Sequence, residues 1–142
     1  MAALVDTNVL VYRYDHRDPR KQQRATEVLR EGLQDASHLL SHQALIEFVA
    51  VTTRALTDGA PLLTPAEATR EVEEMMALYE VLHPDDELIR LALRGAAAYG
   101  LAWFDAHMWA YAERDGIDTL LSEDLQTGRT YGTVAVVNPF AD

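Results

Sequence analysis

The chain has no cysteine, a single lysine and no long run of apolar residues. The absence of cysteine excludes disulfide bonds, thiolate nucleophiles and zinc sites built from thiolates. Because no stretch of about 18 consecutive apolar residues occurs, we expect no membrane-spanning helix. The N-terminal residues also lack the basic start and apolar stretch of a signal peptide, so we expect a cytoplasmic protein with no membrane partner.

Basic residues are scarce, and half of them lie near the N-terminus. The chain has 23 acidic and 12 basic residues, which gives a net charge of −11. Residues 1–30 hold six of the basic residues and only four of the acids. A basic face that grips nucleic acid could therefore exist only locally, near residues 19–33. The acidic excess elsewhere favours binding of metal cations or of a basic protein partner.

Short apolar runs alternate with longer helical patterns along the 142 residues, of which 49% are hydrophobic. The predicted strands cover residues 2–5, 38–41, 79–82, 118–122 and 133–137. The predicted helices cover residues 8–15, 19–33, 43–56, 65–78, 85–99 and 103–115. Continuous apolar strands separated by helices predict one α/β domain over residues 1–142, with a parallel central sheet of about five short strands flanked by helices on both sides.

Two acids follow predicted strands directly. Asp6 ends the strand 2–5, and Asp124 comes just after the strand 118–122. Ligands of parallel α/β sheets bind beyond the carboxyl ends of the strands. If these two strands are neighbours, their ends lie about 4.8 Å apart, and both carboxylates belong to one site. Asp105 begins a helix that follows another helix, so the pattern alone does not place it.

Glu47 lies in the apolar segment "ALIEFVAV" and is therefore expected to be at least partly buried. A buried carboxylate needs a partner, and no Lys or Arg lies three or four positions away on the helix. Each acid also has a purely structural interpretation, which the sequence leaves open. Asp6 would cap the next helix, Asp105 would complement a helix dipole, and Asp124 would be a turn residue. Glu47 would pair with a distant arginine, namely Arg54, Arg90 or Arg94.

If the four acids converge, they cannot all stay ionised without positive charge between them. Oxygen ligands suit Mg²⁺ or Mn²⁺, whereas the five histidines show no spacing typical of a zinc site and are interpreted as surface or core residues. Thr7, Asn8 and Ser122 flank the acids and are expected either to support the carboxylates or to act as cap and turn residues.

Several segments together resemble a known family. "LVDTNVL", "ALIEF", "WFDAHMWAYA", "LLSEDLQTG" and the closing "VVNPF" follow one another in the order found in PIN-domain ribonucleases, in particular the VapC-type toxins of type II toxin–antitoxin systems. The resemblance implies a parallel sheet with helices on both sides and RNA cleavage that depends on Mg²⁺ or Mn²⁺. It also implies a cognate antitoxin as partner, and a homodimer.

Carried onto this sequence, the resemblance implies a catalytic and metal-binding set of acids: Asp6, Glu47, Asp105 and Asp124. Ser122 occupies the hydroxyl position often found just before the last acid, and Glu123 receives no role. Two other acidic-site enzymes fit less well. A haloacid-dehalogenase-type phosphatase would need an acid at position 8, which is Asn8. A receiver domain would need a lysine after a late strand, and the one lysine is Lys21. The remaining alternative is a PIN-like protein that acts through partner or RNA contacts with little or no hydrolysis.

Overall fold

The computed structural model describes residues 2–141 and contains a sheet of six strands with six helices. The strands are β1 (Ala3–Val5), β2 (His38–Ser41), β3 (Glu80–Leu82), β4 (Thr119–Leu121), β5 (Thr130–Tyr131) and β6 (Val134–Val137). The helices are α1 (Thr7–Tyr12), α2 (Pro19–Gln34), α3 (His42–Thr52), α4 (Pro65–Leu78), α5 (Asp86–Tyr99) and α6 (Trp103–Arg114).

The strand order is β3-β2-β1-β4-β6-β5, and only the pairing of β5 with β6 is antiparallel. The chain moves outward from β1 through β2 to β3 and then returns to place β4 on the other side of β1. Because parallel crossovers are right-handed, this reversal puts α1 to α4 on one face and α5 and α6 on the other. The predicted α/β fold is confirmed, and the order of strands reverses between β1 and β4, where such sheets bind ligands.

The core consists of the strands and of the helix faces that cover them. Leu4, Val5, Leu40, Leu120 and Val136 are fully or almost fully buried. Both faces of these strands are covered, which explains why they read as continuous apolar runs rather than as alternating patterns.

Three local predictions differ from the structure, the first being that α1 ends at Tyr12 rather than at residue 15. The strand β5 was not predicted, because two residues are too few to show a period; it pairs back on β6 through a turn in which Gly132 has a positive φ of 59°. The helix α3 ends at Thr52 rather than at residue 56. The Thr52 carbonyl accepts a hydrogen bond of 2.9 Å from the Leu63 N–H, which folds the following loop back onto the helix end.

Two helix boundaries follow the predicted chemistry. Thr64 and Glu67 form the capping box of α4, with bonds of 2.9 Å and 3.1 Å between each side chain and the other residue's N–H. Gly100 ends α5 in the left-handed conformation, with φ of 66°. No helix in residues 2–141 combines the length and the apolar character needed to cross a membrane.

The hairpin of α5 and α6 decides where Asp105 lies. The Arg114 side chain bonds to Asp85 at 3.0 Å near one end of the hairpin, and the Tyr99 and Trp109 rings meet at 5.4 Å along it. Gly95 makes the close packing possible, since a Cβ there would lie 2.2 Å from the Trp109 ring.

Candidate active site at the carboxyl edge of the sheet

Asp6 lies where β1 ends, beside the end of β4. Its backbone N–H donates to the Leu121 carbonyl at 2.9 Å, so the two strands stay paired up to the residue that carries the carboxylate. The side chain accepts the Thr7 N–H at 2.7 Å, which makes Asp6 the N-cap of α1. Asp6 is only 6% exposed. The structural interpretation as a cap is therefore correct, and it places the carboxylate at the sheet edge at the same time.

A network of polar side chains joins Asp6 to the loop after β4. The buried Ser122 hydroxyl donates to the Asp6 carboxylate at 2.6 Å and accepts the Asp124 N–H at 3.1 Å. The Asn8 amide donates to the Asp124 carboxylate at 3.0 Å and lies 3.4 Å from the Asp6 carboxylate. Two of the three supporting residues predicted from the sequence, Asn8 and Ser122, thus hold Asp6 and Asp124 in place.

Glu47 reaches the same edge from α3. Its carboxylate accepts the Thr7 hydroxyl at 3.0 Å and the Gln43 amide at 2.6 Å. The Gln43 amide also donates to the Phe104 carbonyl at 3.1 Å, which links Glu47 to the first turn of α6. Among the described residues, none of Arg54, Arg90 and Arg94 forms an ion pair with Glu47, so that alternative is wrong. Gln43 was not predicted, although its spacing of four residues from Glu47 on one helix is a usable signal.

Asp105 lies in the first turn of α6 and is half-buried, and its side chain forms no hydrogen bond or ion pair with any residue from 2 to 141. Burial raises the pKa of its carboxyl, and the nearby charges of Asp124 and Glu47 raise it further. The helix-dipole interpretation is compatible with this position but does not explain why an acid without a partner faces two others. We call Asp6, Glu47, Asp105 and Asp124 the acidic cluster.

Asp6 has the most strongly shifted pKa of the acidic cluster. Burial raises the pKa of Asp6 to about 7, and the charges of Asp124 and Glu47 act in the same direction. Hydrogen bonds from Ser122 and Thr7 oppose this rise, because they stabilise the ionised form. The fold therefore holds a carboxylate where its charge is unfavourable, which is typical of sites built to bind something positive.

A pocket of about 290 Å³ opens beside these residues. Asp124 and Glu47 line it together with Thr7 and Asn8, whereas the buried Asp6 and the half-buried Asp105 do not line it. The donor atoms fit a hard divalent cation, because carboxylate and hydroxyl oxygens surround the opening. No three acidic or histidine side chains in residues 2–141 form a ready-made cage for a metal ion. A cation such as Mg²⁺, which keeps several waters, needs only one or two carboxylates directly.

Glu123 is the acid that the sequence left without a role; it lines the same pocket as Glu47 and Asp124 but is paired with a lysine. Its carboxylate accepts the Lys21 ammonium at 2.7 Å and the Tyr12 hydroxyl at 2.6 Å. Its N–H lies 3.4 Å from the Asn8 amide oxygen. This group of three side chains fastens the loop after β4 onto α1 and α2. Sequence reasoning missed it, since nothing local connects residues 21 and 123.

Two features define the class of protein: an α/β sheet, and carboxylates gathered where the order of its strands reverses. The model of the PIN domain family matches residues 3–132, and the chain therefore belongs to the PIN domain family. No curated protein is a significant sequence match.

Three solved structures show the likeness in fold. A DNA-bound VapBC from Salmonella typhimurium is 16% identical, with a TM-score of 0.66 over 96% of each chain. A toxin–antitoxin complex from Klebsiella pneumoniae is 15% identical, with a TM-score of 0.66 over 97% of this chain and 98% of that chain. The Mycobacterium tuberculosis toxin VapC20, described as cleaving the sarcin–ricin loop, is 18% identical, with a TM-score of 0.64 over 87% of this chain and 92% of that chain.

Proposed function

We propose that this protein is a divalent-metal-dependent endoribonuclease and the toxin of a toxin–antitoxin pair, of the VapC type. The observation that carries the proposal is the acidic cluster, in which four distant parts of the chain bring carboxylates to one sheet edge. Burial and neighbouring acids raise the pKa of Asp6 to about 7, so its charge needs compensation. Two of the similar structures are a toxin–antitoxin complex and a toxin that cleaves the sarcin–ricin loop, which supports this function over another use of the fold.

The four acids have different roles in the proposed site. Asp6 and Asp105 bind the Mg²⁺ or Mn²⁺ ion directly, and Asp124 completes the site or holds a second ion. Glu47 binds through water or orients the attacking water. A divalent ion bound here supplies charge stabilisation at the phosphodiester and lowers the pKa of water.

Thr7, Asn8 and Ser122 keep the carboxylates in place through the hydrogen bonds described above. Such supporting bonds matter because an acid held in one orientation loses little freedom when it binds an ion. We expect their removal to weaken metal binding more than it weakens folding.

The test is cleavage of total cellular RNA by the purified chain, in the presence of Mg²⁺, Mn²⁺ or EDTA. We expect cleavage with either metal, none in EDTA, and a loss of at least a hundredfold in the Asp105→Asn variant. Asp86→Asn is the matched control, because Asp86 is also an acid in the first turn of a helix, but it is exposed on α5. Cleavage that persists in EDTA, or an equal loss in both variants, would contradict the metal site.

A second candidate function is a PIN-like protein that acts through partner or RNA contacts without hydrolysis. The observation in its favour is that residues 2–141 contain no preformed cage of three metal-binding side chains. The same experiment separates the two functions, since retention of RNA without any cleavage in Mg²⁺ or Mn²⁺ would support the binding protein.

The proposed partners are an antitoxin and a second copy of this chain. Large apolar side chains lie exposed beside the acidic cluster, among them Phe104 at 68% and Ile46 at 58%. A net charge of −11 favours a partner with a basic segment. We expect co-expression of the cognate antitoxin to relieve growth inhibition by the toxin, and light scattering to give the mass of a dimer. A protein that is harmless when expressed alone would contradict the toxin role.

A further inference from the structure

One cationic side chain lines the pocket that opens onto the acidic cluster. Of the ten residues lining this pocket, Arg17 alone is basic, and four are acidic, namely Asp15, Glu47, Glu123 and Asp124. Arg17 thus brings the one cation of this pocket from the loop just before α2, where it is paired with Asp15.

RNA approaching this protein meets strong repulsion. The net charge is −11, and an acidic cluster adds local repulsion at the point where the phosphate must arrive. A nearby cation is therefore needed for the backbone that flanks the cleaved bond. Lys21 does not meet this need, since its ammonium is already engaged by Glu123 at 2.7 Å and its side chain is 24% exposed.

The Arg17 guanidinium is held by Asp15 and is also accessible to solvent. Its Nε and Nη2 donate to the two Asp15 carboxylate oxygens, each at 2.8 Å, and its backbone N–H donates to Asp15 at 3.1 Å. The Asp15 side chain is 8% exposed, whereas that of Arg17 is 47% exposed. A guanidinium has five N–H donors, and Asp15 takes only two of them. The Nη1 group has no partner in residues 2–141 and remains available to a ligand.

We propose that Arg17 binds a phosphate of the RNA strand next to the phosphate that is cleaved, an inference that rests on the proposed function. Asp15 fixes the plane of the guanidinium in advance, so that binding costs little side-chain entropy. Arg17 thereby sets the direction in which the strand crosses the site, from the acidic cluster toward the start of α2. It is a binding residue and takes no part in the chemistry.

The experiment compares Arg17→Met, Arg17→Lys and the control Arg94→Met. Arg94 is exposed on α5 and does not line this pocket, so its replacement changes the net charge equally. The probe is end-labelled total cellular RNA in Mg²⁺. The initial rate of cleavage is measured at low and at saturating RNA, between about 50 and about 200 mM NaCl, since the salt dependence counts phosphate contacts.

We expect Arg17→Met to lower the rate at low RNA about tenfold, the effect of losing one hydrogen bond to a charged group. At saturating RNA its rate should match the wild type, because the acids are intact. The salt dependence of log(kcat/KM) should become shallower by about 0.7, the value for one contact with a single strand. Arg17→Lys should keep the salt dependence and regain part of the affinity.

Equal rates and equal salt dependence for Arg17→Met and Arg94→Met would overturn this inference and leave the ribonuclease proposal standing. A fall at saturating RNA as large as the fall at low RNA would also overturn it, because it would show an effect on the chemistry. Absence of any cleavage by the wild-type protein would overturn the proposed function, and the role of Arg17 with it.

Discussion

Replacing Asp6 by asparagine should stabilise the metal-free protein at slightly alkaline pH, although it removes an acid from the candidate active site. The pKa of Asp6 is raised from 3.8 to about 7, mainly by burial. A tenfold change in an acid constant corresponds to about 1.4 kcal/mol, so the ionised Asp6 destabilises the fold by at most about 4 kcal/mol. Asparagine loses the bond from the Ser122 hydroxyl, worth about 1 kcal/mol. The expected net gain is therefore about 3 kcal/mol.

The gain depends on pH with a definite sign. A raised pKa in the folded state means that the folded chain binds the proton more tightly than the unfolded chain does. Stability from Asp6 is thus complete below about pH 4, falls as the pH rises, and is lost above about pH 7. The asparagine side chain in Asp6→Asn does not titrate, so its contribution to stability does not change with pH. The difference in stability between variant and wild type should therefore appear between about pH 4 and about pH 7.

Urea denaturation in EDTA at pH 4.5, 6 and 8 measures this difference. Asp86→Asn serves as the control, because the Asp86 side chain is exposed and is not among the charges that raise the pKa of Asp6, so its replacement should change stability little at any of these pH values. The reasoning is refuted if Asp6→Asn is less stable than the wild type at pH 8, or if its advantage is the same at pH 4.5.

Divalent ions should reverse the order of stability. A ligand that binds only the folded chain adds about 4.1 kcal/mol at a concentration one thousand times its Kd, which exceeds the gain of about 3 kcal/mol expected for Asp6→Asn. At pH 8, Mn²⁺ should raise the melting temperature of the wild type and leave that of Asp6→Asn nearly unchanged. An equal rise in both proteins would place the ion elsewhere.

Three further variants test the supporting structure, each by one measurement. Lys21→Met should lower the free energy of unfolding in urea by about 2 kcal/mol, because it leaves the Glu123 carboxylate without its cation. Adding Glu123→Gln to the same chain should restore most of this loss. If the effects of the two substitutions on stability simply add, the two side chains are not coupled and the prediction is wrong. Gly95→Ala should cost about 1–3 kcal/mol, since the new Cβ would meet the Trp109 ring at 2.2 Å; an unchanged midpoint would show that the ring can move. Asn8→Ala should lower cleavage at limiting Mg²⁺ and recover it at excess Mg²⁺, because Asp124 loses its donor; a loss that excess Mg²⁺ does not restore would contradict a role in metal binding.

Much of the fold was readable in the sequence because it rests on local signals. Apolar runs predicted five strands, and Thr64 with Glu67 predicted the start of α4, which the capping box confirms. The strand β5 escaped prediction because its pairing with β6 comes from the tertiary fold, and its two residues carry no pattern of their own.

The acids of the candidate site also differ in whether local signals in the sequence could place them. Asp6 and Asp124 were placed correctly relative to each other, since each follows a strand and the two strands, β1 and β4, are neighbours. Asp105 could not be placed, because its position depends on how the α5–α6 hairpin packs. The contact of Glu47 with Thr7, 40 positions away, also lay beyond local reasoning, whereas its contact with Gln43, four positions away on α3, did not.

The amino-acid sequence by itself determined the elements, their order and the presence of acids at two strand ends, because hydrophobic period and helix capping act over a few residues. Only the tertiary structure decided how deeply Asp6 is buried, why Glu123 turns to Lys21, and that Arg17 shares a pocket with the acids. These properties depend on which surfaces exclude water from a side chain and which charges lie near it. Such neighbours are set by packing between distant segments, and no local pattern encodes them.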